Sequence, residues 1–231
     1  MRRRLLVPIG LLLVTVQGRG DSVRPTLENG VVTYTASDGR RQEMQVGKKC
    51  TDLWVSPDES VLSFIAIEKA KPAAAHEVEP FIEQSSIYVA RKSDHFRPVH
   101  LVIKTSIGGR AWRVVRAPKV SPDLGTVYFF VPNTMTTWRL ISTSLPRGPY
   151  EMIGDGTDYC VIWGGDHSGD LIILTRHDPN PTPSDPAPGV TYPCYLRDQS
   201  SGARTKLADE CFESFDKLAI GWGREHGGSC R

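Results

Sequence analysis

The stretch Trp163-Gly164-Gly165-Asp166-His167-Ser168-Gly169 sets an acid, a base and a hydroxyl side by side, the residue types of a nucleophilic triad. Consecutive residues cannot align the three groups in a hydrogen-bonded row. The glycines also miss the Gly-x-Ser-x-Gly spacing that lifts a nucleophile onto a strand-to-helix turn. The stretch therefore reads as a turn. Asp155, Asp158, Asp166 and Asp170 offer carboxylates, but not in the alternating acidic order with a glycine that wraps calcium. The histidines, His76, His95, His100, His167, His177 and His226, contain no His-x-x-x-His pair, and the cysteines contain no Cys-x-x-Cys. Zinc thus has no short ligand spacing to use. No glycine-rich phosphate cradle or dinucleotide motif is present. The sequence points to no catalytic residue, no metal and no cofactor.

The elements around these residues belong to a chain of 231 residues, enough for one domain or two small ones. It opens on the basic Met1-Arg2-Arg3-Arg4, continues with an apolar run from Leu5 to Val16, and reaches small residues at Val16-Gln17-Gly18. That is the pattern of a secretory signal peptide over residues 1–18, too short to cross a bilayer as a helix. It predicts a periplasmic or secreted protein with no membrane span after signal removal. The formal charge is +2, but three of the 28 basic residues lie in this segment, leaving 25 against 26 acidic ones. A nucleic-acid partner needs a clustered basic surface, and none is expected. Export permits disulfides among Cys50, Cys160, Cys194, Cys211 and Cys230, with one thiol left over; the spacing selects no pairing.

Two segments repeat. Trp54-Val55-Ser56-Pro57-Asp58-Glu59-Ser60 runs into the apolar Val61 to Ile67, and Val120-Ser121-Pro122-Asp123-Leu124-Gly125 runs into Val127 to Val131. Pro presets the turn, Asp accepts from nearby amides, and a following Gly can take positive φ. Ser56, Pro57, Asp58, Ser121, Pro122, Asp123 and Gly125 are thus structural turn residues, with Asp166 in a degenerate third copy. Asp58 and Asp123 lie 65 residues apart, and Asp123 and Asp166 lie 43 apart. The second interval fits a four-stranded blade repeat, and the first fits once an insertion from Lys69 to Ser85 is discounted. Strands are also expected at Val31 to Ala36 and Gln42 to Val46, forming a lone hairpin, and at Phe212 to Trp222. No window after the signal shows a sustained helical apolar stripe, so the fold class is all-β.

These turn-and-strand units resemble the repeats of TolB-like β-propellers, exported relatives of WD-type propellers. The resemblance covers roughly residues 30 to 222. It implies antiparallel four-stranded blades, about four of them, either incomplete or closed by pairing the C-terminal strands with the N-terminal hairpin. The implied organisation is a signal peptide at 1–18, a loose segment at 19–29, the propeller at 30–222 and a tail at 223–231. TolB-like propellers dock partners such as the peptidoglycan-associated lipoprotein, so the resemblance implies a protein or cell-envelope partner.

In such a blade the loops joining strands two to three and four to one share one face. The insertions at Lys69 to Glu83 and Asp178 to Pro188 fall on it, as do Gly108 to Trp112 and Gly154 to Asp158. Binding is therefore expected there, with Arg110, Trp112, Trp138, Asp155 and Asp158 as candidate contacts. The leading reading is a non-catalytic binding module. The alternatives are a carbohydrate-active hydrolase, for which the sequence nominates no acid pair, and an open propeller that assembles with itself or a partner.

Overall fold

A computed structural model describes residues 15–16, 24–36, 39–47, 49–68, 84–101, 114–133, 137–145, 148–178 and 189–230. Most of the expected signal peptide, nearly all of both insertions, and Arg110 and Trp112 lie outside the described residues. No helix among the described residues is long and apolar enough to cross a membrane.

The described residues fold into four antiparallel sheets in sequence order. Sheet one holds β1 (Thr15–Val16), β2 (Thr26–Glu28), β3 (Val31–Thr35) and β4 (Arg41–Met44). Sheet two is the meander β5 (Lys49–Val55), β6 (Val61–Glu68), β7 (Gln84–Arg91) and β8 (Pro98–Leu101). Sheet three repeats it with β9 (Arg116–Val120), β10 (Thr126–Pro132), β11 (Trp138–Ser144) and β12 (Tyr150–Gly156). Sheet four has β13 (Asp158–Trp163), β14 (Leu171–Leu174), β15 (Cys194–Arg197) and β16 (Arg204–Ala208), and its β13 edge takes β17 (Ser229–Cys230). One helix, α1 (Phe215–Glu225), stands between β16 and β17.

The second strand of each later sheet explains how the sheets stack. Side chains alternate along a strand, so a continuous apolar run buries both faces. In β6, Val61 and Ile65 join the core shared with sheet three, while Leu62 and Phe64 turn toward sheet one. In β10, Val127, Phe129 and Val131 face sheet two, while Tyr128 and Phe130 face sheet four. In β14, Leu171 and Ile173 face sheet three, while Ile172 and Leu174 face α1. The order is sheet one, two, three, four, then helix.

The Ser-Pro-Asp turns form as the repeat requires. The Ser56 hydroxyl donates to Asp58 at 2.6 Å, and the Ser60 amide donates to the same carboxylate at 3.0 Å. Ser121 and the Gly125 amide bond Asp123 in the same way. The left-handed residue is the one after the Asp, Glu59 with φ 58° and Leu124 with φ 57°, and not Gly125 as expected.

Other expectations fail for identifiable reasons. The loose segment at 19–29 contains β2, because Asn29 (φ 52°) and Gly30 (φ 78°) make a two-residue primed turn and build a hairpin with β3. Gly30 is also required by contact: a Cβ there would lie 2.7 Å from Lys49 Cβ. β2, β3 and β4 thus make a three-stranded meander and not a lone hairpin, and β1, which falls within the expected signal segment, pairs along the β4 edge. The strands expected at Phe212 to Trp222 are a helix, because Phe215, Leu218, Ala219 and Trp222 recur at helical spacing and pack on sheet four. The all-β class therefore carries one α-helix among the described residues, and that helix extends into the expected tail. Closure fails as well: β17 pairs with β13, Ile162 opposite Cys230, and not with the N-terminal sheet.

Two disulfides hold this end. Cys160–Cys230 ties β13 to β17, and Cys194–Cys211 ties β15 to the approach to α1. Cys50 is the free thiol, buried between sheets one and two. Burial raises its pKa, partly offset by a hydrogen bond to the Val46 carbonyl, so it behaves as a small apolar residue.

Candidate functional site

The first strands of sheets two, three and four meet around a cleft of about 350 Å³. Asp52, Leu53 and Trp54 come from β5, Arg116, Ala117 and Lys119 from β9, and Asp158 from β13. Both β5 and β9 are irregular here. The register of β5 against β6 shifts between Thr51 and Trp54, and that of β9 shifts opposite Tyr128 and Phe130. Pro118, which has no amide hydrogen, marks the second bulge. Asp52 (φ 50°) and Ala117 (φ 49°) are left-handed, and the Ala117 amide donates to Asp52 Oδ2 at 3.0 Å. The carbonyls of the bulge are held too: Ser63 donates to Pro118 at 2.6 Å, and the Tyr159 hydroxyl donates to Ala117 at 2.5 Å. Non-glycine residues kept in this conformation store backbone strain in the cleft wall.

The charges in the cleft are anchored from behind. The Arg116 guanidinium lies 4.0 Å from the Trp138 ring centroid and 5.3 Å from that of Phe130, and it donates to the Thr157 carbonyl at 2.9 Å. Burial lowers its pKa, opposed by Asp158 and Asp52. Lys119 Nζ donates to the Tyr159 carbonyl at 2.5 Å, with the Tyr159 ring centroid 4.8 Å away. Burial pulls Lys119 below the ordinary lysine value, against Asp158 and Asp216. Both cations thus have their forks or ammonium groups partly committed to backbone carbonyls. A second hollow of about 240 Å³ shares Thr157 and Asp158 and is bordered by Phe212, Glu213 and Asp216.

The cleft lies where β9 and β13 begin and reaches the middle of β5. At that same end β6 stops at Glu68 and β7 starts at Gln84, directly paired, and β14 stops at Leu174 opposite Cys194 of β15. The Ser-Pro-Asp turns lie at the opposite end of the strands. Of the expected contacts, Trp138 and Asp158 come together here through Arg116. Asp155 does not join them: it lies within β12, not in a loop, and pairs with Arg139 at 3.3 Å on the surface. Arg110 and Trp112 lie outside the described residues. Asp166 sits in the third turn, which lacks Ser-Pro and is crossed by the chain after α1. A Cβ at Gly165 would stand 2.2 Å from the His226 carbonyl.

Asp52, Arg116, Lys119 and Thr157 were not singled out by sequence. Asp52 and Ala117 share the 65-residue offset of the Ser-Pro-Asp turns, and Pro118 inside a strand signals a bulge. Those two signals together would have pointed to the cleft.

No family model matches the chain, and none of the curated proteins does. Among solved structures, the chain is similar to the tricorn protease at 10% identity and TM-score 0.45, covering 89% of this chain and 18% of that one. A puromycin hydrolase aligns at 13% identity and TM-score 0.44, covering 89% of this chain and 33% of that one. A putative 6-phosphogluconolactonase from Bacteroides uniformis aligns at 12% identity and TM-score 0.36, covering 84% and 68%. This chain therefore spans a third or less of the first two.

Proposed function

We propose that this protein is an exported, non-catalytic binding module of TolB-like propeller build, its four sheets serving as blades. It would dock a protein or cell-envelope component in the cleft. One observation carries the reading: the cleft formed by three sheets lies at the end where the strands run into the chain's long connections. A rigid scaffold with elaborated loops at one end is the usual arrangement for recognition. The two disulfides suit an oxidising, exported setting. Arg116 and Lys119 are bonded to carbonyls, while Asp52 and Asp158 each accept a backbone amide through one carboxylate oxygen, so their second oxygens are the groups best placed to receive a partner, which favours a polypeptide segment bearing cationic side chains.

The test is affinity capture from an envelope extract with immobilised protein. A partner held by the wild type should be lost from Asp158→Lys and Arg116→Glu, and kept by Asp94→Lys at the opposite end. Equal retention by all three variants would overturn the reading. So would turnover of a polysaccharide or peptide that Asp52→Asn abolishes.

A further inference from the structure

The end of the molecule opposite the cleft brings together two histidines 59 residues apart. His167 stands in the turn between β13 and β14, and His226 follows the last residue of α1. Their ring centroids are 5.6 Å apart at an interplanar angle of 81°. Each ring has its Nδ1 engaged by an oxygen acceptor. His226 Nδ1 lies 2.8 Å from the Trp222 carbonyl, which can only accept, so Nδ1 carries the hydrogen. His167 Nδ1 lies 2.9 Å from Asp170 Oδ2. Asp170 is itself fixed, only 9% exposed, with its other oxygen accepting from the Gln199 amide at 2.9 Å.

In the neutral ring this tautomer leaves Nε2 with a lone pair. A carboxylate or carbonyl behind Nδ1 is how proteins orient imidazoles that bind metal. Two imidazoles sharing a tetrahedral ion through nitrogens roughly 2.1 Å from it keep their ring centres roughly 5–6 Å apart, and the observed separation falls in that range. Trp222 packs on this pair, stacked on His226 at 3.8 Å and edge-on to His167 at 4.9 Å. The glycines of the third turn make the approach feasible, since no side chain would fit between Gly165 and the His226 carbonyl.

We propose that His167 and His226 form a two-histidine site for an imidazole-preferring divalent cation of the zinc and copper class. Among the described residues no group of three or more His, Cys, Asp or Glu is placed to hold a metal. The protein therefore supplies two ligands, and water or a group from a bound molecule fills the rest. Neutral nitrogen donors select against calcium and magnesium, which take oxygen.

The experiment titrates Zn2+ alone into the full protein, free of any polyhistidine tag, by calorimetry and by histidine ring resonances. The expected result is one ion per chain in the micromolar range, with shifts confined to His167, His226 and the Trp222 indole. His167→Gln or His226→Gln should weaken binding by tenfold or more, and the double variant should abolish it. Asp170→Asn should weaken it by about 10–100-fold while leaving both ligands in place. His177→Gln should change nothing. Absence of wild-type binding below millimolar Zn2+, or undiminished binding in a double variant with a wild-type circular-dichroism spectrum, would overturn the proposal.

Discussion

The Asp52 carboxylate accepts a hydrogen bond from the Ala117 amide, joining two left-handed residues that hold the same position in sheets two and three. Each bulge props the other, and the cleft wall between them has a fixed shape. Asp tolerates the left-handed region; Ala strains in it by roughly 1–2 kcal/mol. Ala117→Gly is therefore expected to be neutral or to raise the melting temperature. Asp52→Ala removes the acceptor and should lower stability by about 1 kcal/mol. Paired thermal melts of the two variants check this, since the same bulge is relieved in one and unpinned in the other.

Arg116 should not tolerate lysine. Its guanidinium lies over the Trp138 ring and is bonded to the Thr157 carbonyl, and an ammonium cannot do both at that reach. Arg116→Lys is expected to weaken partner binding nearly as much as Arg116→Ala while keeping the charge. Tryptophan emission should redshift in both variants as Trp138 loses its cover.

The two disulfides close segments of 70 and 17 residues in sequence separation. If stabilisation follows loop-closure entropy, Cys160–Cys230 contributes about 4 kcal/mol and Cys194–Cys211 about 3. Removing each pair by serine substitution should cost stability in that order by denaturant titration. Amide exchange should rise in α1 before it rises in β10.

Stability should also fall in acid through the turn aspartates. Ser121 and the Gly125 amide hold Asp123 below the usual carboxylate value. At Asp58, burial pushes the other way, but hydrogen bonds from Ser56 and Ser60 outweigh it. As pH falls, the unfolded chain takes up these protons near pH 4, before the folded chain does. Each contribution is thus full above that value and lost as pH drops through the folded pKa. Asp58→Asn and Asp123→Asn together should flatten the acid limb of a stability curve measured from pH 6 to 2 and leave the shape above pH 5 unchanged.

Local chemistry was legible and long-range chemistry was not. Two Ser-Pro-Asp turns and apolar runs such as Val61 to Ile67 announced repeated antiparallel sheets, because turn geometry and side-chain alternation depend on adjacent residues. Asn29-Gly30 carried an equally local signal for β2. The run Lys217 to Trp222 looked strand-like because its apolar residues are contiguous; what makes it helical is the face that Phe215, Ala219 and Gly223 bury against sheet four. The pairing of Cys160 with Cys230, the meeting of Asp52 with Ala117 and that of His167 with His226 each span dozens of residues. No spacing rule reaches that far. At the candidate site, Trp138 and Asp158 could be named from sequence, but Arg116, which links them, could not.

The stack has unequal ends. Apart from the contact between Trp54 and Trp163, each sheet leans on the one before and the one after. Both covalent links sit at the helix, and sheet one is kept by side-chain packing and a backbone bond from the Cys50 amide to the Gly30 carbonyl, with Cys50 left as a thiol. An array of nearest-neighbour units frays from its weaker terminus. Under heat, tension or protease the protein should peel in one direction, shedding β2 to β4 first and exposing the Leu62 and Phe64 face of β6. The cystine-locked end persists as the last folded remnant.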